Sequence, residues 1–361
     1  MSHALISLSD KTGIEALAPR LEALGYSIVA TSSTARLLRN CCSKVMEVSE
    51  LTGFPEILDG RVKTLHPVIA AGILADRDKE EHEATLRDLQ INKIDLVIVN
   101  LYPFVKTVTD PESDHALIIE NIDIGGPTLI RAAAKNYAHV CVLTDPADYP
   151  ALLQQLEETG HTRLAWREQM AQKAFAMVSA YDHAIAGYLE SVSSGEDFKP
   201  RLEISAPLNY QMRYGENPHQ AAALYGANEK FIQVLHGKEL SYNNLMDTDA
   251  CLRALRQFTE PTCVIVKHGN PCGIASANML EDAYHKAFAT DTDSPFGGIV
   301  ALNRPLDLFT AQAINKIFTE IIIAPAYEDG VLEFLVKKKD RRLLSYDPAL
   351  LSSPAVPKQV R

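Results

Sequence analysis

The stretch IDLVIVNL (Ile94–Leu101) is a nearly continuous apolar run, and it is the strongest indication of the fold. Such a run is typical of a strand that is buried on both faces of a parallel sheet. Further apolar segments predict strands at His3–Leu8, Tyr26–Ala30 and His139–Leu143. Helical patterns lie between them, at Gly13–Leu24, Lys79–Leu89 and Thr128–Lys135. This alternation predicts an α/β domain in which helices wrap a parallel sheet.

A second domain is predicted after a long helical stretch, Arg163–Leu189. The polar, turn-forming segment SVSSGEDFKP (Ser191–Pro200) marks the boundary, so we assign residues 1–195 and 196–361 to two domains. The second domain also alternates, with strands predicted at Cys263–Val266 and Glu320–Ala324. The charge run Lys337–Arg342 is predicted to be a solvated loop or a helix end.

Composition limits the possible classes of function. The net charge of −11 argues against nucleic-acid binding, which needs a basic surface. No apolar run approaches the roughly 18 residues of a membrane span, and the N-terminus lacks a basic leader. The six cysteines show no CxxC spacing, which favours free thiols in a reducing cytoplasm. We therefore expect a cytoplasmic protein that binds small molecules.

The segment ENIDIGGPTLIRAAAKN (Glu120–Asn136) carries the first candidate site. Its two glycines allow the backbone to approach a ligand closely. Arg131 and Lys135 are four residues apart and share one helix face. Asp123 precedes the helix, where a carboxylate can either cap the helix or face a substrate. The pattern alone leaves both interpretations open.

The segment DGRVKTLHP (Asp59–Pro67) is predicted to clamp an anion. If the chain is extended here, Arg61 and Lys63 lie on one side, and Thr64 adds a hydroxyl. An exposed loop without function is the alternative.

Polar residues also follow three predicted strands, where open α/β sheets bind phosphates and other ligands. The groups concerned are Ser9, Asp10 and Lys11 after the first strand, Thr31, Ser32, Ser33 and Thr34 after the second, and Asn100 and Tyr102 at the end of the apolar run Ile94–Leu101. Ser, Thr and Asp are also the commonest helix caps, so each turn alone is weak evidence.

In the second domain, Lys267 and His268 follow an apolar strand and pair a cation with a group that titrates near neutrality. Zinc deaminases carry H-x-E and P-C-x-x-C motifs. Here Cys272 is followed by Gly273, Ile274 and Ala275, and no H-x-E precedes it. We therefore expect no zinc and no other metal.

Taken in order, SDKTG, DGRVKTLHP, NLYPF, IDIGGPTLIRAAAKN, RYGENPHQ, LSYNNL, VKHGNPCG, DSPFGG and IIIAPAYE resemble one family over essentially the whole chain. It is the bifunctional purine-biosynthesis family that joins phosphoribosylaminoimidazolecarboxamide (AICAR) formyltransferase to IMP cyclohydrolase. The resemblance implies a methylglyoxal-synthase-like, doubly wound parallel-sheet domain. A partial cytidine-deaminase-like α/β formyltransferase domain without zinc would follow it.

For the first domain, the resemblance implies closure of the formamido nucleotide FAICAR to IMP. Lys135 would be the main proton donor and acceptor, helped by Asp123, Tyr102 and Lys63. The substrate-binding residues would be Ser9, Asp10, Lys11, Thr31, Ser32, Ser33, Thr34, Arg61, Thr64, Asn100, Ile124 and Gly125. The family usually has two glycines where this chain has Ser32 and Ser33. If those positions need a positive φ, each serine costs on the order of 1 kcal/mol; otherwise serine adds a hydroxyl donor.

For the second domain, the resemblance implies formyl transfer from the co-substrate 10-formyltetrahydrofolate to AICAR. His268 would be the base and Lys267 its polarising partner, while Arg213, Tyr214, Asn243, Gly297 and Glu320 would line the pocket. The family's chains run beyond Arg361, so we expect cyclisation to be intact and formyl transfer to be impaired or absent. The alternatives are a cyclohydrolase alone and a non-catalytic nucleotide-binding module. The family also implies a homodimer.

Overall fold

A computed structural model describes residues 2–193, 206–226 and 232–352 of the chain. It divides into two compact units, residues 1–202 and 203–361. Residues 194–200 of the predicted boundary segment lie outside the described residues. Within the described ranges, no helix is both long enough and apolar enough to cross a membrane.

The first unit alternates strands and helices, as its sequence predicts. Its strands are β1 (Ser2–Ser7), β2 (Tyr26–Ala30), β3 (Val45–Glu47), β4 (Ile94–Val99) and β5 (Cys141–Leu143). Its helices are α1 (Ile14–Ala23), α2 (Ser32–Leu38), α3 (Val48–Thr52), α4 (Pro67–Leu74), α5 (Glu80–Asp88), α6 (Phe104–Thr109), α7 (His115–Glu120), α8 (Gly125–Lys135), α9 (Tyr149–Thr159) and α10 (Leu164–Ser193).

These five strands form one parallel sheet in the order β3-β2-β1-β4-β5. Successive strand residues point to opposite faces, so the sheet supports two separate cores. Residues of α1, α2 and α9 cover one face, and residues of α4, α8 and α10 cover the other. The predicted doubly wound α/β fold is confirmed. Because all strands run the same way, their carboxyl ends meet at one edge.

The second unit is a mixed α/β structure. Its strands are β6 (Leu208–Gln211), β7 (Ala223–Tyr225), β8 (Ile232–His236), β9 (Thr262–Lys267), β10 (Asn270–Ser276), β11 (Ile299–Leu302), β12 (Ile321–Ala324) and β13 (Arg342–Tyr346). Its helices are α11 (Tyr242–Leu255), α12 (Leu280–Thr290), α13 (Leu308–Ile314), α14 (Val331–Leu335) and α15 (Ala349–Ser352). Six strands form a sheet in the order β10-β9-β11-β12-β13-β8, in which β11, β12 and β13 are parallel.

The prediction that the charge run Lys337–Arg342 is a solvated loop or a helix end is wrong at the C-terminal end of the run. Arg341 is fully buried, and Arg342 begins β13. The Arg341 guanidinium donates to the Thr319 carbonyl (3.2 Å) and to Asn315 Oδ1 (2.8 Å). Charge patterning could not reveal this, because the acceptors lie more than twenty residues earlier in the chain. A guanidinium with such acceptors is satisfied inside the protein.

Candidate active site

The carboxyl edge of the first sheet brings two predicted turns together. The strand β4 ends at Val99, which leaves the Asn100 side chain free to cross to the turn after β1. Asn100 Oδ1 accepts the N–H groups of Ser9 (2.7 Å) and Asp10 (3.0 Å), and its Nδ2 donates to the Asp10 carbonyl (2.7 Å). Hydrogen bonds from Thr12 lower the pKa of the Asp10 carboxyl. Lys11 lies half-buried in the same turn.

The turn after β2 places its hydroxyl groups at the same edge. Thr31 is the N-terminal cap residue of α2 and lies 3.3 Å from Ser7 through their hydroxyl oxygens. The buried Thr34 accepts the Leu8 N–H (3.3 Å). Ser32 and Ser33 begin α2, and neither has a positive φ. The serines therefore carry no left-handed strain in this turn, and they keep their hydroxyl groups.

The Ser32 hydroxyl has a partner that the sequence did not suggest. It donates to the Glu56 carboxylate (2.6 Å). Both residues line a small pocket, together with Thr31, Lys63 and Phe54. Glu56 belongs to no recognisable sequence motif. Only the folding of the chain places its carboxylate beside Ser32. An acidic side chain thus occupies part of the predicted anion site.

The loop that supplies Lys63 is held in an unusual conformation. Leu58 and Asp59 have φ values of 55° and 53°, in the left-handed region that L-residues seldom adopt. Arg61 forms an exposed ion pair with Glu120 at the end of α7. Arg61 therefore anchors the loop in this structure instead of pointing into the pocket beside Lys63.

Asp123 lies two residues before α8 and is half-buried. Its Oδ1 accepts the Gly126 N–H (2.8 Å), and its own N–H donates to the Tyr181 hydroxyl (2.8 Å). Burial raises the pKa of this carboxyl. Hydrogen bonds from Gly126 and Tyr102 and the positive charge of Lys63 oppose that rise. Asp123 thus holds an N–H group at the start of α8 and is also influenced by the charge of Lys63, while its contact with a substrate stays a prediction.

The two glycines at the start of α8 are required because neighbouring atoms leave no room for a side chain. A Cβ on Gly125 would lie 2.5 Å from Thr64 Oγ1. A Cβ on Gly126 would lie 2.5 Å from Leu101 Cδ2 and 2.6 Å from Asp123 Oδ2. Both contacts are shorter than a real Cβ tolerates, so any side chain here would displace the groups of the site.

Lys135 lies at the other end of α8. It lines a cavity of about 600 Å³ with Leu74, Tyr137, Phe175 and Arg131. The Arg131 guanidinium stacks over the Phe175 ring at 5.6 Å. None of the residues around Asp123 lines this cavity. Within one chain, the structure does not bring Lys135 together with Asp123, and the side chain of Ile124 is exposed.

In the second unit, Lys267 ends β9, and its Nζ donates to the Phe296 carbonyl (2.8 Å), one residue before Gly297. His268 has a φ of 55°. The Asp247 carboxylate accepts the N–H groups of His268 (3.3 Å) and Gly269 (2.6 Å), which supports this strained turn. Asp247 lies in no motif that the sequence reveals. Its position on the buried-to-exposed boundary of α11 could only be seen in the fold.

The other predicted pocket residues contact neighbouring elements of this unit. The Glu320 N–H donates to the Gly298 carbonyl (2.9 Å), and its carboxylate accepts from Asn244 (2.9 Å). Asn243 donates to the Glu216 carbonyl (3.4 Å). The Arg213 guanidinium lies 6.0 Å from the centre of the Tyr214 ring.

One group in the described part of the chain has side chains that could together hold a metal ion: Asp76, Asp78 and His139. These three residues are separate from the residues around Asp123 and from those around His268. Lys79 Nζ lies 3.4 Å from Asp76, so a cation already neutralises part of this charge.

Comparisons with known proteins match both units. A family model described as "AICARFT/IMPCHase bienzyme" matches residues 133–360, and one described as "MGS-like domain" matches residues 13–128. A Chlorobium chlorochromatii protein named "Bifunctional purine biosynthesis protein PurH" is 51% identical over 98% of this chain and 70% of its own length. A protein of the same name from Acetivibrio thermocellus is 50% identical over 96% of this chain and 69% of its own length. A solved structure titled "Crystal structure of ForH" is 38% identical, with a TM-score of 0.49, and covers 54% of this chain and 100% of that one.

Proposed function

This chain belongs to the AICARFT/IMPCHase bienzyme family, and from this premise we propose how its residues carry out the two reactions of the family. The reactions are the last two steps of purine biosynthesis. Formyl transfer converts AICAR into FAICAR, and dehydrative ring closure converts FAICAR into IMP. Residues 1–195 would close the ring, and residues 196–361 would form part of the formyltransferase domain.

Ring closure requires an acid, a base and an anion clamp. The carboxamide nitrogen forms a bond to the formyl carbon and loses one proton. The formamido nitrogen loses a second proton as the ring C=N bond forms, and the formyl oxygen, which gains two protons in total, leaves as water. We assign the proton removal to Asp123, because burial raises the pKa of its carboxyl towards the operating range of a base. Lys63, whose charge acts on Asp123, would stabilise the negative oxygen of the intermediate. Tyr102 and Lys135 complete the proposed proton-transfer set.

The nucleotide would lie along the carboxyl edge of the sheet. Backbone N–H groups and hydroxyls of Ser9–Lys11 and Thr31–Thr34 are suited to a phosphate. Thr64, Asn100, Ile124 and Gly125 would surround the base, and Arg61 would join them after release from Glu120. The observation that carries this proposal is the Asp123 carboxyl, half-buried and fixed by the Gly126 N–H beside Lys63.

The test replaces Asp123 by Asn, which keeps an oxygen acceptor for Gly126 but removes the base. We expect ring closure, followed by the absorbance change from FAICAR to IMP, to slow by about 100-fold or more. Nucleotide binding should persist. Asp88→Asn is the matched control, since it makes the same change on an exposed end of α5. A non-catalytic nucleotide-binding module predicts no ring closure by the unmodified chain.

For formyl transfer, we propose that the AICAR amine forms a bond to the formyl carbon while His268 removes its proton and Lys267 polarises the formyl group. The bond from the formyl carbon to N10 of the folate then breaks, and N10 takes up a proton, which releases tetrahydrofolate. The strained backbone at His268 and its support by Asp247 favour a site with a fixed geometry. The co-substrate would be 10-formyltetrahydrofolate, which the family uses. Incubating the chain with AICAR and this folate separates the two activities, because a chain that only cyclises FAICAR leaves the folate unchanged.

We also propose a homodimer located in the cytoplasm. All six cysteines are free thiols, as a reducing compartment would keep them. Sizing of the purified chain by light scattering tests the dimer.

A further inference from the structure

We propose that the Tyr181 hydroxyl is a positioning group for ring closure, because it fixes the backbone at Asp123 and thereby aims the Asp123 carboxylate. Tyr181 belongs to α10, and it would act through Asp123 without contacting the nucleotide itself. The inference rests on the proposed function, which makes Asp123 the base of this reaction.

The Tyr181 hydroxyl joins the end of α7 to the segment that precedes α8. Its oxygen accepts the Asp123 N–H (2.8 Å), and its O–H donates to the Asn121 carbonyl (3.1 Å). Asn121 is the C-terminal cap residue of α7, and Asp123 lies two residues before α8. A single hydroxyl therefore holds an N–H and a carbonyl of the short segment between the two helices.

The two hydrogen bonds of Asp123 act on different parts of the residue. Its Oδ1 accepts the Gly126 N–H (2.8 Å), which ties the carboxylate to the first turn of α8. Its backbone N–H donates to Tyr181, which ties the main chain to α10. When both the backbone and the carboxylate are held, rotation about the Cα–Cβ bond is restricted to one orientation. Loss of the Tyr181 hydroxyl removes one of these two restraints.

The helix α10 is a firm support for this hydroxyl. Its buried residues Ala171, Ala174, Val178 and Tyr181 are spaced by three, four and three residues, which places them on one helix face. The first three of them belong to the core that α10 shares with α8 and the sheet. Because several turns of α10 are anchored in this core, the phenol ring keeps a fixed position relative to the sheet.

The ring of Tyr181 also supports the segment that carries Tyr102. The buried Phe104 meets the Tyr181 ring edge-on, with 6.0 Å between the ring centres. The Phe104 N–H donates to the Tyr102 carbonyl (2.8 Å) in the segment after β4. The same tyrosine is thus in contact with the segments of two residues that we assign to proton transfer, Asp123 and Tyr102.

The phenol of Tyr181 keeps its proton at neutral pH. Its side chain is buried, and this burial raises the pKa of the phenol above the ordinary value of a tyrosine. A neutral hydroxyl can donate and accept at the same time, whereas a phenolate could not donate to the Asn121 carbonyl. Both hydrogen bonds therefore persist across the neutral range.

Replacing Tyr181 by Phe removes the hydroxyl and retains the ring that packs on Phe104. We expect the kcat of ring closure to fall by about 10- to 100-fold, because a displaced base slows the chemical step. The KM should change by less than about two-fold, since the turns proposed to bind the phosphate are untouched. A wild-type kcat in Tyr181→Phe overturns the positioning role.

Tyr188→Phe is the matched control. Tyr188 lies two turns later on α10, and its ring meets Phe104 edge-on with 6.1 Å between the ring centres. Its hydroxyl, however, lies 2.8 Å from His115 Nδ1, at the first residue of α7. Tyr188→Phe should therefore keep wild-type kcat and KM. An equal loss of kcat in the two variants assigns the effect to general packing of α10 and overturns the inference.

A double-mutant cycle shows whether Tyr181 acts through Asp123. If the hydroxyl works by aiming the carboxylate, adding Tyr181→Phe to Asp123→Asn should lower the residual kcat no further. A further loss of about 10-fold means that Tyr181 acts by another route, which overturns the inference. Wild-type kcat in Asp123→Asn refutes the base assigned in the proposed function, and the inference with it. A slow Asp123→Asn beside a wild-type Tyr181→Phe overturns this inference alone.

Hydrogen exchange gives a readout that does not depend on activity. In Tyr181→Phe the Asp123 N–H loses its acceptor, so its exchange should accelerate by about 10-fold or more, while Tyr188→Phe leaves it unchanged. Mass spectrometry of peptides that span residues 118–126 measures this change. Unchanged protection of the Asp123 N–H in folded Tyr181→Phe overturns the proposed restraint.

Discussion

Replacing Gly126 by Ala tests whether close packing at the start of α8 sets the position of Asp123. The new Cβ would lie 2.5 Å from Leu101 Cδ2 and 2.6 Å from Asp123 Oδ2. Ordinary contact begins near 3.4 Å, so each neighbour must move by about 0.8 Å or more. Overpacking of this kind costs about 1–3 kcal/mol of unfolding free energy.

The displaced carboxylate should slow ring closure as well. A shift of about 1 Å in a catalytic group can lower its rate by about 100-fold. We therefore expect Gly126→Ala to lower kcat strongly and KM little, because the turns proposed to bind the phosphate are unchanged. Ring closure is followed by absorbance, and stability by urea unfolding of the first unit, monitored at Trp166.

Gly187→Ala is the matched control for this prediction. Gly187 lies within α10, and a Cβ there meets nothing within 4 Å. Alanine should stabilise this helix by about 0.5–1 kcal/mol and leave kcat unchanged. If Gly126→Ala keeps wild-type kcat and stability, the packing argument for the glycine pair is wrong.

Three further changes have expected outcomes. Asp123→Asn should stabilise the protein at neutral pH, where the half-buried carboxylate is ionised. Because the folded pKa is raised, the wild type regains stability as pH falls through it, and the two unfolding curves should converge in acid. The same raised pKa predicts that wild-type kcat falls on the acid side at a higher pH than an ordinary aspartate would give. Glu56→Gln should tighten nucleotide binding several-fold, because it removes a negative charge from the pocket that contains Ser32; calorimetry that finds weaker binding would contradict this. Asp247→Ala should release the strained turn at His268 and lower the kcat of formyl transfer more than it changes KM, whereas Asp247→Asn should retain much of the rate; equal rates for the two variants would exclude a positioning role.

The architecture of the first unit could be predicted from its amino-acid sequence alone. The apolar run Ile94–Val99 and the helical patterns around it are local signals, and the doubly wound sheet follows from their alternation. The glycine pair Gly125–Gly126 was also recognisable, because two glycines between a strand and a helix indicate a close approach of the backbone to its neighbours. These features depend on backbone preferences and on the periodicity of apolar residues, and both are determined by consecutive residues of the chain.

Which side chains meet, by contrast, is visible only in the tertiary structure. Glu56 reaches Ser32, Asp247 supports His268, and Arg341 is buried against carbonyl groups of a distant segment. The same holds for Lys135, which its motif joins to Asp123 but which the length of a straight helix keeps away from it. Sequence spacing counts residues along the chain, whereas proton transfer and ion pairing depend on distances in space. A rigid helix converts about twelve residues of spacing into a separation that no single side chain can bridge.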